Sequence, residues 1–274
     1  MSLRHAAGFC AALAGCTILQ AAFLPIAHLD ARTVQAFDTY IEKFEHDYMK
    51  PFADSGRLWI DAAACCKRNE ANYTGRPVIE ARVNDDVENG SIHHFSGSMH
   101  VDGATIEDMR RIMEDYPDYP KNFKPDVTKA DGEMRPDSTK RDEHFISHLT
   151  LTEATLWMNV QFDTAYDTHY RYLDDHRWIS KSVSLSMKEQ KDVKDVSKGY
   201  FPEGDDHGFL WRTNTYWFAR QSGNGLDLEA DSITLSRTNV PGFAWFGSKR
   251  SHDAVEKMLH DVRIALAGLH RSER

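Results

Sequence analysis

The chain has 274 residues, 33 Lys and Arg against 42 Asp and Glu, and a net charge of −9. That excess of acid excludes nucleic acid as the main partner, because phosphate recognition needs a basic surface, and excludes docking on anionic headgroups through bulk charge. With 41% hydrophobic and 27% charged residues, the composition is that of a globular chain with one sizeable core and a smaller appended unit.

Residues 1–31 read as an export signal. Arg4 precedes an apolar run from about Ala6 to Ala27, and a cut after Ala31 is expected. Two rival readings stand beside it: "LAGC" resembles a lipobox, which would lipidate Cys16, and the uncut run is near the length that anchors a chain in a bilayer. The expected location is therefore periplasmic or secreted, with membrane contact only through an uncut or lipidated N-terminus. Beyond this leader the cysteines are Cys65 and Cys66, whose adjacency prevents an ordinary bridge, and no C-x-x-C supports a redox or zinc-ribbon reading.

Residues 32–90 read as a helical extension and linker. Val34, Phe37, Ile41, Phe44 and Tyr48 recur at steps of three and four, which predicts an amphipathic helix ending at Pro51. "RPVIEARV" predicts a strand and "NDDVENG" a turn. Residues 91–274 read as the main domain, opening with the strand "SIHHFSGSMHV". Thr105 with Asp108 resembles a helix cap, and Ile106, Met109, Ile112, Met113 and Tyr116 form the buried face of that helix until Pro117 and Pro120 break it. "NFKPDVTKADGE" reads as a loop leading into a strand, and strands dominate from Lys140 to Arg237. "FLWRTNTYWFAR" and "LDLEADSITLSR" flank "QSGNG", a hairpin signal. A final helix carries Val255, Met258, Leu259, Val262, Leu266 and Leu269 on one stripe.

Three histidines crowd the first strand of the main domain. His94 and His100 share a face but lie roughly 20 Å apart along it, and His93 points the other way, so this run cannot hold one metal ion. His148, His169 and His207 are available from other strands. No H-E-x-x-H, G-x-S-x-G, P-loop or dinucleotide fingerprint is present, and neither metal nor cofactor is expected.

The order of elements resembles the START-like, helix-grip superfamily (SRPBCC), which includes lipid-transfer domains and polyketide cyclases or aromatases. The resemblance spans about residues 91–270 and rests on "IHHFSGSMHVDGATIEDMRRIMEDYPDYPKNFKP", the aromatic hairpin and the last helix. It implies an α+β fold in which a curved antiparallel sheet grips the long C-terminal helix, with a hydrophobic pocket between them. It supplies no universal catalytic residue. Candidate cavity residues are Met109, Met113, Tyr116, Tyr119, Trp157, Phe162, Asp163, Trp211, Arg212, Tyr216, Met258 and Val262. An inward Arg212 would need a carboxylate such as Asp163 or Glu229, whereas an outward one needs none. The leading expectation is an exported carrier of an apolar small molecule or lipid, gated by the segment from Tyr116 to Lys124. A cyclase-like enzyme using Asp163, Arg212 or a histidine is the first alternative. An interaction module that docks through the Val34–Tyr48 helix is the second.

Overall fold

The computed structural model describes residues 25–63, 65–70, 75–154, 159–237 and 244–272. Residues 1–24 of the stretch read as a signal, with the Cys16 reading, and Trp157 lie outside the described residues, as do the side chains of Cys65 and Cys66, whereas residues 25–31 of that stretch are described.

The first helix, α1 (Ala31–Phe44), is capped by Asp30, whose carboxylate accepts from the backbone N–H of Arg32 at 2.8 Å and of Thr33 at 2.9 Å. It does not stop at the predicted proline. It continues through a π-helical turn (Glu45–Met49) into α2 (Lys50–Ser55) and ends at Gly56, whose φ is 71°. Proline removes a backbone donor and its ring crowds the preceding turn, and the widened turn just before Pro51 accommodates both effects. A short α3 (Cys65–Asn69) follows.

Eight strands form one antiparallel sheet in the order β2-β3-β10-β9-β7-β6-β5-β4, and a separate pair joins β1 (Ala27–His28) to β8 (Asp205–Asp206). The strands are β2 (Val78–Val87), β3 (Gly90–Asp102), β4 (Val127–Met134), β5 (Asp142–Ala154), β6 (Asn159–Tyr172), β7 (Arg177–Glu189), β9 (Arg212–Ser222) and β10 (Gly225–Arg237). The sheet thus begins at Val78, inside the stretch read as a linker. It also takes in β4, within the stretch read as a loop leading into a strand, and this edge strand carries charge without apolar alternation: Lys129, Asp131 and Glu133 are exposed along it. Between β3 and β4 lie α4 (Ile106–Glu114) and α5 (Tyr119–Asn122), and α6 (Ala244–Ser272) closes the chain.

Strand alternation divides the buried residues between two faces. Phe95, Met99, Trp178, Trp217, Ala219, Leu226, Leu228 and Ala230 pack against Val255, Leu259, Val262 and Leu266 of α6 and the apolar stripe of α4. This is the expected helix-grip arrangement. Ile92, Ile179, Tyr216, Phe218, Ile233 and Leu235 face the other way, beneath Phe37, Phe44, Phe52, Leu58, Trp59 and Ile60. The apolar side of the N-terminal helix is therefore consumed as a lid on the sheet's second face, which removes it as a docking surface. Burying each such large side chain contributes about 1.5–3 kcal/mol.

A polar seam runs under this N-terminal cover. Asp227, Glu229 and Asp231 alternate along β10 and all point into it, with exposures of 6%, 0% and 1%. Asp231 meets His94 Nε2 at 2.8 Å and the Ser96 hydroxyl, while His94 Nδ1 lies 2.7 Å from the Tyr40 hydroxyl. Glu229 accepts from the Tyr48 hydroxyl and, at 3.0 Å, from the Trp59 N–H. Burial, with Asp231 close by, pushes the Glu229 carboxyl well above the usual carboxylate range. Asp227 lies 2.7 Å from His100 Nδ1 and accepts from Arg220 at 2.8 Å. The first-strand histidines thus divide their work: His94 and His100 partner buried carboxylates, and His93, on the opposite face, sits 3.1 Å from the Ser236 hydroxyl.

Candidate functional site

The α4 helix is fastened at its start by the expected capping box, in which Thr105 Oγ1 accepts from the Asp108 N–H at 3.2 Å and Asp108 accepts from the Thr105 N–H at 2.9 Å. Its stripe buries Ile106, Met109, Ile112 and Met113. Pro117 and Pro120 then break the path into a 3₁₀ turn (Tyr116–Asp118) and α5. The breaks are held from below by phenols. Tyr119 and Tyr170 donate to the Met113 carbonyl at 2.6 and 2.7 Å, and the Tyr116 and Tyr170 hydroxyls are 2.9 Å apart. Burial raises all three phenol pKa values, so the hydroxyls stay protonated. The Tyr116 ring occupies the space where any side chain on Gly132 would stand, which places β4 directly against it.

A pocket of about 830 Å³ opens between this segment and the C-terminal half of α6. Its apolar lining is Ile112, Ile264, Ala265 and Leu269, and most of the other side chains that line it are charged or polar, among them Glu114, Asp118, Lys121 and Lys124. Ile264 is 56% exposed, an apolar side chain left to solvent at the pocket. The segment from Tyr116 to Lys124, read from sequence as a gate, forms one wall.

Glu114 is the electrostatic feature of this wall. Arg110 donates to one of its oxygens at 2.6 Å, while the other, Oε1, is buried with no hydrogen-bond partner among the described residues. Burial, followed by the neighbouring Glu143 carboxyl, raises the Glu114 pKa to about 8. The folded chain therefore holds a proton that the unfolded chain releases above its ordinary value of 4.5. The resulting stabilisation is fully present below that value and is lost as the pH rises through about 8. Glu114→Gln is expected to flatten the fall in stability across this window, read as denaturation midpoints at acidic, neutral and mildly alkaline pH. Parallel profiles for the two proteins would place the proton elsewhere.

The predicted site residues separate into three groups. Met109, Met113, Tyr116, Tyr119 and Val262 come together in the core beneath the pocket, with Met258 packed partly buried against them. Phe162 is also buried, at 2% exposure. Trp211 and Tyr216 lie instead in the cluster under the N-terminal cover: the Trp211 indole donates to Asp206 at 2.9 Å and the Tyr216 hydroxyl to Glu45 at 2.7 Å. The alternation that sends Trp217 toward α6 sends Tyr216 away from it. Asp163 is half-buried, alternating with the buried Phe162 and Thr164. Arg212 is met by neither Asp163 nor Glu229 but by Glu203, at 2.9 Å. Sequence reading passed over Ile264, although an apolar residue off the Val255–Leu269 stripe was a usable signal. The Glu114–Glu143 pairing left none, since α4 brings it to β5 only in the fold.

No family model and no curated protein matches the chain. Among solved structures it is similar to a STAR-related lipid transfer protein fragment from Xanthomonas axonopodis, at 14% identity and TM-score 0.47, covering 68% of this chain and 98% of that one. It is also similar to human StAR-related lipid transfer protein 5, at 11% identity and TM-score 0.43, with 88% and 100% covered. A third is the Zhui aromatase/cyclase from Streptomyces sp. R1128, at 12% identity and TM-score 0.43, with 67% and 96% covered.

Proposed function

We propose that this chain is an exported protein that binds a hydrophobic small molecule or lipid at the α4–α5 and α6 pocket. The observation that carries the reading is the pocket itself: an apolar lining open to solvent at Ile264, with a volume of about 830 Å³. That falls in the range of roughly 300–1,000 Å³ typical of small-molecule sites. Met109, Met113 and Met258 belong to the core cluster that also holds the pocket residues Ile112, Ala265 and Leu269, and their unbranched thioethers would let that core adjust to a guest.

The described N-terminus bears on how an exported chain would be cut. The Pro25 carbonyl accepts from Arg237 at 2.7 Å, the Leu29 N–H donates to Gly204 at 2.8 Å, and Asp30 caps α1. A cut after Ala31 strips all three, and loss of the cap alone costs about 1 kcal/mol. The proposed cut therefore precedes Pro25.

One experiment tests both parts. The full chain is expressed in a bacterium, recovered from the envelope fraction and weighed by native mass spectrometry before organic extraction. The expected result is a chain starting at or before Pro25 that carries one apolar molecule, and Ala265→Trp, which fills the pocket, loses that molecule. An empty parent protein that takes up no hydrophobic dye would sink the binding reading, and a chain starting at Arg32 would sink the proposed cut. Glu114 favours a second reading, a cyclase-like reaction on the bound molecule, because an acid protonated at neutral pH lines the pocket. In that case Glu114→Gln retains the molecule but fails to convert it.

A further inference from the structure

On the sheet, away from the pocket, β5 and β6 bring three metal-ligand side chains together. His144 stands directly opposite His169 in the strand pairing, and Asp167 lies two residues before His169 on the same face. The two imidazoles stack with centroids 4.3 Å apart and planes 12° apart. Their Nε2 atoms converge on one oxygen: Asp167 Oδ1 is 3.0 Å from His144 Nε2 and 3.6 Å from His169 Nε2. Both His144 Nε2 and Asp167 Oδ1 are buried atoms that no hydrogen bond satisfies among the described residues. The donor atoms of His144, Asp167 and His169 all lie within 4.8 Å of one another.

The outer nitrogens are fixed by carboxylates. His144 Nδ1 is 2.8 Å from Asp137 Oδ1, and His169 Nδ1 is 3.0 Å from Asp142 Oδ1. A carboxylate at Nδ1 selects the tautomer whose Nε2 lone pair is free and makes that nitrogen a better ligand. Asp142 is itself held by Arg171, whose Nη2 is 2.8 Å from its other oxygen. Lys181, paired with His169 across β6 and β7, is engaged by Glu45 at 2.6 Å. With ion–donor bonds of about 2.0–2.2 Å, neighbouring donors of a tetrahedral zinc site stand about 3.3 Å apart, and both separations here lie within a few tenths of that.

We propose that His144, Asp167 and His169 bind one divalent transition-metal ion of the zinc class, through Nε2, Oδ1 and Nε2. Three protein ligands leave a fourth position, and the His169 and Asp167 side chains are 39% and 38% exposed. Imidazole and carboxylate donors suit Zn²⁺ or Co²⁺ rather than Mg²⁺ or Ca²⁺, which take oxygen ligands. Reading along single strands missed this group, because its members are neighbours only across the β5–β6 pairing.

The test uses the untagged full chain, stripped with a chelator. Co²⁺ titration is expected to give the visible absorption of a four-coordinate site at one ion per chain, displaced by Zn²⁺ in calorimetry. His169→Gln and Asp167→Asn should abolish it, with circular dichroism confirming that both variants fold. Asp137→Asn and Asp142→Asn should weaken it about 10–100-fold, as losses of orienting partners do. His252→Ala is the control for the other geometrically suited group, His252, Asp253 and Glu256 on α6, and should change nothing. The proposal is overturned if the parent takes up neither ion, or if binding survives both ligand variants and disappears with His252→Ala.

Discussion

Arg220→Met is expected to destabilise the protein by about 3–5 kcal/mol, the usual consequence of removing one partner from a buried ion pair. Arg220 holds the N-terminal cover to the sheet. One of its nitrogens donates to Asp61 at 2.7 Å and to the Gly56 carbonyl at 3.0 Å, and the other reaches Asp61 at 3.1 Å and Asp227 at 2.8 Å. The Asp227 side chain is only 9% exposed and that of Asp61 16%, so neither carboxylate recovers its hydration when the cation leaves. Burial works to raise the Asp61 carboxyl, yet the Arg220 hydrogen bonds and the Leu58 N–H outweigh it and hold the carboxyl below its usual range. The Asp61 contribution is thus complete at neutral pH and is lost as the solution is acidified below 3.8, its ordinary value. His100, 2.7 Å from Asp227, softens the loss and puts the expected value toward the lower end. Urea midpoints at constant slope measure it. The decisive comparison is Arg220→Met with Asp227→Asn: the double variant should be more stable than the sum of the single effects by at least about 1 kcal/mol. Additivity would show that the pair carries no coupling.

Gly97→Val is expected to cost about 1–3 kcal/mol or more through overpacking, although valine favours strands and glycine does not. Gly97 is where α6 comes down onto β3. A Cβ there would stand 2.4 Å from a Leu259 methyl, 2.7 Å from one of Ile79 and 2.8 Å from one of Val255. Leu259 and Val255 are 0% and 1% exposed, so the side chains have little room to retreat and the helix must shift. That shift moves a wall of the pocket, so the variant should also bind hydrophobic dye differently. Leu259→Ala alone is expected to cost about 2–5 kcal/mol, and in the Gly97→Val background its cost should shrink because the new methyls occupy the vacated space. A stabilised Gly97→Val would mean that strand propensity outweighs contact at this crossing.

Local periodicity was enough to place α4 with its Thr105–Asp108 cap, α6 with its Val255–Leu266 stripe, and the β9–β10 hairpin, because each depends on residues within a few positions of one another. Their order was enough to infer an antiparallel sheet gripping the last helix. Composition could not divide the aromatics between two faces: a run such as Tyr216, Trp217 and Phe218 is apolar on both sides, and only the layers packed above and below decide which ring meets α6. The arginine that mattered was likewise a matter of neighbours. Arg212 and Arg220 lie on one strand, but pairing across β9 and β10 sets Arg220 beside Asp227, while Arg212 pairs with Glu203. His144 and His169 are 25 residues apart in the chain and directly opposed in the sheet. The sequence by itself determined the sheet-and-helix class and those elements whose spacing is short-range, but not the run of the first helix past Pro51. The tertiary structure alone decided the cover on the second face, the open pocket around Ile264 and the convergence of His144, Asp167 and His169, because cross-strand register and layer packing are long-range properties that no local pattern encodes.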